Sequence, residues 1–126
     1  MLDAAAHKAI FTALTAALSP IKAYDAVPQG AAYPYVVIDS QEQTPDDPLT
    51  SRRDERMFYL SIWSQYRGQK EVLDILSLVD SALHQQRLAM DEGRCVRVYV
   101  ENKRTMREPD NLTFQGAAKV RFILEH

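Results

Sequence analysis

A chain of 126 residues with 46% apolar and 25% charged side chains and only four glycines has the make-up of one globular domain, not of a disordered or collagen-like sequence. Its formal charge of −2 supplies no basic field for sequence-independent attraction to nucleic acid, so no direct nucleic-acid readout is expected. The single cysteine, Cys95, excludes an intrachain disulfide and a cysteine-built zinc cluster, and no apolar run approaches the roughly 20 residues that cross a bilayer.

The N-terminal stretch carries Asp3 and many alanines where a secretory signal would show a basic region and an apolar block, so a cytoplasmic origin is expected. Over residues 3–18, Ile10, Phe11, Leu14, Ala17 and Leu18 recur at helical spacing, predicting an amphipathic helix with Asp3 as N-cap and Ser19-Pro20 as its stop. His7 lies off that stripe and reads as solvated. Residues 21–27 suit a short edge strand, followed by the turn chemistry of Pro28-Gln29-Gly30.

Tyr35-Val36-Val37-Ile38 is a continuous β-branched run with Pro34 at its start, which predicts a buried strand. Residues 41–56 are polar apart from Leu49 and are expected to form a long projecting loop or ribbon that does not bury itself and orders on assembly. From Met57 the pattern alternates: Phe58, Leu60 and Ile62 on the helix-facing side, Tyr59, Ser61 and Trp63 on the other. Tyr66 and Tyr99 are assigned to that second side with Tyr59 and Trp63.

After Gly68 the spacing of Val72, Ile75, Leu76, Val79 and Leu83 predicts a second amphipathic helix over about residues 69–86. Val96, Val98 and Val100 then alternate with Arg97, Tyr99 and Glu101. A turn at Pro109-Asp110-Asn111 leads to a strand through Phe114, Gly116, Ala118, Val120 and Phe122. The order predicts an α+β fold, a mainly antiparallel sheet of four to five strands with two amphipathic helices packed on one face. Residues 1–124 are read as a single domain and 125–126, Glu125 and His126, as the remnant of a tag.

Chemistry is sparse. Gly-x-Ser-x-Gly, His-x-x-x-His, His-Glu-x-x-His and an Asp-rich calcium loop are all missing, and Gly68-Gln69-Lys70 lacks the companion glycines of a phosphate cradle. Asp46 and Asp47 with Glu42 read as a solvated acidic loop, and Cys95, flanking an apolar run, as a buried structural thiol. No catalytic residue, metal site or cofactor is assigned and no enzyme is expected.

Arg52, Arg53, Asp54, Glu55 and Arg56 interleave opposite charges, which identical subunits can pair across a contact. With Tyr59, Trp63, Arg97 and Tyr99 they form the set of subunit-interface candidates, because aromatic residues and Arg are enriched at contact hot spots.

The ordered set of an amphipathic first helix, Tyr24-Asp25-Ala26-Val27-Pro28-Gln29-Gly30, Tyr33-Pro34-Tyr35-Val36-Val37-Ile38, Leu60-Ser61-Ile62-Trp63-Ser64, a helix after Gly68 and a closing hairpin resembles the tail-completion, or tail-terminator, proteins of long-tailed bacteriophages and prophages. That resemblance implies a structural virion subunit without chemistry. It forms a hexameric ring on the tail tube, stops tube polymerisation and joins the tail to the head connector. The implied partners are further copies of itself, the tail-tube protein and the head connector protein. The implied location is the virion tail, after assembly in the host cytoplasm. The alternative is another head-tail joining or tail-tube protein, or a small non-enzymatic interaction adaptor.

Overall fold

The computed structural model describes residues 2–45 and 53–125. Two helices, α1 (Leu2–Leu18) and α2 (Lys70–Leu83), accompany five strands: β1 (Lys22–Tyr24), β2 (Tyr35–Pro45), β3 (Arg53–Ser64), β4 (Arg94–Arg107) and β5 (Phe114–Glu125). The strands form one sheet in the order β1-β2-β3-β5-β4, antiparallel throughout except for the short β1–β2 pair. Both helices cover one face of it, as the alternation of apolar residues predicts.

β3 carries the architecture. It pairs with β2 from Tyr35↔Trp63 to Pro45↔Asp54 and with β5 from Arg53↔Glu125 to Ser64↔Phe114, so all but its two end residues are held on both sides. Phe58, Leu60 and Ile62 are buried against the helices together with Ala118, Val120, Phe122 and Leu124 of β5. In α2 the five residues singled out by spacing, Val72, Ile75, Leu76, Val79 and Leu83, are the buried ones. The opposite face of the sheet is left uncovered by any described element.

Several expectations are corrected by the structure. α1 begins at Leu2, so Asp3 lies within its first turn and not at an N-cap. Its buried stripe runs through Ala5, Ala6, Ala9, Ile10, Leu14 and Leu18, while Ala17 is exposed. Small alanines at that surface let the helix approach closely, a use of Ala that a search for large apolar residues passes over. His7 is three-quarters buried, with Nε2 3.4 Å from Asp25 Oδ1 and its ring stacked on Phe11.

α2 stops at Leu83, and residues 84–86 do a different job. Gln85, at a positive φ of 58°, donates its N–H to the carbonyl of Val98 at 2.6 Å. Val98 N–H donates to the carbonyl of Gln86 at 3.1 Å, and Val100 N–H to His84 Nδ1 at 3.0 Å. The segment therefore occupies the outer edge of β4 at Val98 and Val100. Two bulges in β4, between Cys95 and Arg97 and between Val100 and Asn102, break the simple alternation expected there. Cys95 and Val98 become the fully buried residues of that strand. Burial pushes the Cys95 thiol pKa up, in keeping with a structural role.

The described parts of the polar stretch at 41–56 take the ribbon alternative of the sequence reading. β2 continues to Pro45 and β3 starts at Arg53, which makes the described part a paired ribbon; Asp46, Asp47 and Arg52 lie outside the described residues. Tyr66, placed with the sheet aromatics by sequence, lies past the end of β3 in the connection to α2.

The β4–β5 turn is built on Asp110. One carboxylate oxygen accepts the N–H groups of Leu112 and Thr113 and the other accepts the Thr113 hydroxyl, each at 2.8 Å, with Asn111 at φ 57°. These bonds hold the Asp110 carboxyl pKa below its ordinary value, that from the Thr113 N–H contributing most. Its stabilisation is present above the unfolded carboxylate pKa of about 4 and is lost as pH falls through the depressed folded value. Asp110→Ala is accordingly expected to lower Tm at pH 7 and to leave less loss of stability on acidification than wild type shows, as read by thermal melts from pH 7 to 2.

Gly116 fixes how near α2 comes to the sheet. A Cβ added there would sit 2.6 Å from Val72 Cγ1 and 3.3 Å from Ile62 Cβ, and a β-branched valine on a helix has no other comfortable rotamer. Gly116→Ala is expected to destabilise the fold by about 1–3 kcal/mol in urea denaturation, the usual penalty for overpacking.

Candidate subunit-contact surface

Alternation along β3 sends its charged end to two different places. Arg53 and Glu55 fall on the open face of the sheet with Tyr59 and Trp63, whereas Asp54 and Arg56 fall on the helix face in line with Phe58. Asp54 is 1% and Arg56 2% exposed. Arg56 Nη2 lies 3.5 Å from Asp54 Oδ2, which also accepts Gln43 Nε2 at 3.3 Å. Both residues are therefore part of the folded subunit's interior, against the expectation of a stretch that does not bury itself. The reason is that β3 stays flanked by β2 and β5 to its end, so the core face runs into the ribbon and the two charges neutralise each other there.

The open face carries a chain of polar contacts across the strands. Glu42 of β2 accepts the Tyr59 hydroxyl at 3.3 Å. Asp39 accepts the hydroxyl of Ser61, which in turn accepts Gln115 Nε2 at 3.2 Å. Arg121 of β5 lies 2.8 Å from Glu101 through Nε and 4.0 Å from Glu55 through Nη1, with its guanidinium 5.0 Å above the Tyr99 ring. Arg97 donates from Nη1 to the Gln85 carbonyl at 3.1 Å. Between Asp39 and Tyr59 on one side and Asn102, Arg104 and Lys119 on the other lies a groove of about 310 Å³, floored by Ala117.

Glu125, set aside by sequence as a tag residue, sits in β5 between two arginines, 3.0 Å from Arg94 Nη2 and 3.4 Å from Arg53 Nη2. The hydrogen bond from Arg94, then the charges of Arg94 and Arg53, hold its carboxyl pKa below the ordinary range. At the other end of the open face, Trp63 pairs in register with Tyr35, which stacks on Tyr33 at 5.2 Å and meets Tyr24 edge-on at 5.8 Å. Tyr33, Tyr35 and Trp63 line a cavity with Glu108, Pro109 and Asp110.

Thus Arg53, Glu55, Tyr59, Trp63, Arg97 and Tyr99 share one face, Asp54 and Arg56 do not, and Arg52 lies outside the described residues. Glu42, Arg121 and the tyrosines at 24, 33 and 35 belong to the same surface and escaped sequence reasoning. The alternation of β5 was the available signal for Arg121. Among the described residues, no group of three or more His, Cys, Asp or Glu side chains is placed to hold a metal ion, and no helix is long and apolar enough to cross a membrane.

A family model described as "Tail completion protein gp17" matches residues 5–125. The chain belongs to the tail completion family. Membership makes it a structural protein of a phage-type tail, in agreement with the resemblance seen in the sequence motifs. A chain from the virion of a native gene transfer agent particle superimposes with a TM-score of 0.85 over 98% of this chain and 97% of that one, at 19% identity, which shows a shared fold. No curated protein sequence matches the chain.

The Asp54–Arg56 pair belongs to the interior of the subunit. Removing one partner takes a buried opposite charge away from the other, so Asp54→Ala is expected to destabilise the fold by up to about 3–5 kcal/mol in denaturant unfolding. Replacing both by Leu and Met is expected to recover most of that loss in the same measurement.

Proposed function

We propose that the protein forms a hexameric ring on the end of the tail tube, stops tube polymerisation there and presents the surface to which the head connector joins. The observation that carries this reading is the family match over residues 5–125. Its location would be the virion tail after assembly in the host cytoplasm; a fold shared with a chain of a gene transfer agent virion supports that setting. The role is structural and not enzymatic, and its partners are the protein itself, the tail-tube protein and the head connector protein.

The open sheet face supplies the physical basis. A cyclic ring uses a heterologous interface, in which different patches of one subunit meet on the next. The face offers Arg53, Glu55, Tyr59, Trp63, Arg97 and Tyr99 as interface candidates, with Arg52 beside them in sequence. Their mixture of aromatic rings and partly exposed charges is the composition of contact surfaces.

Two measurements test the reading. Electron microscopy of tails assembled without the protein is expected to show overlong tubes without heads; tubes of normal length would remove the termination role, and heads lacking a connector layer would assign a joining role instead. Charge reversal at Arg52 and Arg53 together is expected to weaken ring assembly roughly tenfold by sedimentation while the subunit still folds, with Tm lowered only by the loss of the Arg53–Glu125 pair. Undiminished assembly removes both arginines from the contact.

A further inference from the structure

The two outer edges of the sheet are each blocked over one half and open over the other. On β2, the partner strand β1 covers Tyr35, Val36 and Val37, and among the described residues nothing pairs the edge beyond them. On β4, residues 84–86 cover Val98 and Val100, and nothing described pairs the edge from Asn102 to the strand end. An open strand edge is a template for another strand, and soluble proteins normally blunt or cover it. Here the covering stops short at both edges.

The open halves differ in charge. Residues 39–44 of β2 are all exposed and carry Asp39 and Glu42 with no basic residue. Residues 102–107 of β4 carry Lys103, Arg104 and Arg107 with no acidic residue. The directions also agree: β2, β3, β5 and β4 alternate in an unbroken antiparallel series, so a second copy placed beside β4 in the same orientation offers its β2 antiparallel. We propose that neighbouring copies join edge to edge, residues 102–107 of one β4 pairing antiparallel with residues 39–44 of the next copy's β2. The inference rests on the ring reading above and names the contact that closes the ring.

Register follows from keeping side chains on their own faces. Arg104 stands opposite Ala117 and so level with Ser61, and Glu42 stands opposite Met57; both are on the open face, 61 − 57 = 4 residues apart along β3. Setting Arg104 against Glu42 of the neighbour places Lys103 against Gln43, Thr105 against Gln41 and Met106 against Ser40, and brings Arg107 beside the Asp39 bulge. β1 of one copy and residues 84–86 of the other then pass each other without overlap.

The stagger is consistent with a closed ring. A shift of four residues is about 13 Å along the strand, and the four strands of one copy span about 19 Å across it, which corresponds to strands inclined by about 35° to the ring axis. Closed β-barrels tilt their strands by about 35–45°. A contact with no stagger would give upright strands, and one of eight residues would incline them by about 54°, outside that range.

The test uses the full chain, with wild-type Cys95 left buried in place. In Glu42→Cys with Arg104→Cys, mild oxidation of rings assembled on tail tubes is expected to give a reducible ladder of covalent oligomers up to the ring size, whereas either single variant gives no ladder beyond dimer. Rings visible by electron microscopy that yield no ladder overturn the edge contact and leave the ring reading standing; wild-type protein that makes no ring at all overturns both.

A charge exchange covers the case in which the cysteine pair does not assemble. Glu42→Arg and Arg104→Glu are each expected to weaken association roughly fivefold per contact, as like charges directly opposite on paired strands do. The double exchange is expected to return it to within about twofold of wild type. A double exchange no better than the worse single variant overturns the pairing.

Discussion

The fold depends on one strand being gripped from both sides over nearly its whole length. β3 pairs with β5 from Arg53 to Ser64 and with β2 from Asp54 to Trp63, so its alternation governs two surfaces at once. Even-numbered positions from Asp54 to Ser64 point to the helices and odd-numbered ones from Arg53 to Trp63 point away. A slip of one residue would exchange them and drive Tyr59 and Trp63 into the core while exposing Phe58 and Ile62. The register that builds the core is therefore the same register that presents the contact face.

That coupling explains what was legible in the sequence. Helix α2 and the core side of β3 and β5 are legible because each repeats with its own period, and burial follows that period throughout α2 and β5 and in β3 except at Ser61. The two helices on one face of a mainly antiparallel sheet followed from the same periods. What escaped was set by features without periodicity. The stripe of α1 is made of alanines, whose small size and not their hydrophobicity brings the helix close. The bulges of β4 shift burial from Val96 to Cys95, and nothing in the local residue pattern marks an inserted residue.

The candidate surface was legible by half. Tyr59, Trp63, Tyr99 and Arg97 are where alternation and β-propensity put them. Asp54 and Arg56 were misjudged because charged residues next to a polar stretch look solvated, and only pairing to β5 reveals that the core face continues beneath them. Partners such as Glu42, Arg121 and Glu125 depend on cross-strand register, a quantity that a single sequence leaves open. The resemblance seen in the sequence rests on the order of several motifs, so errors at single positions leave it intact.

The ion pair inside the ribbon stem has a consequence for how such a protein changes over generations. Either charge lost alone takes a buried opposite charge from its mate, whereas replacing both together by apolar groups of similar size is expected to cost much less. Neutral drift at this point is thus a two-step path with a deep valley in the middle, and most lineages will remain on the side where they started. The exposed residues a few ångströms away obey no such rule. A ribbon built this way holds its stem in one shape while its outer surface is free to diverge and follow whatever neighbour each virus provides.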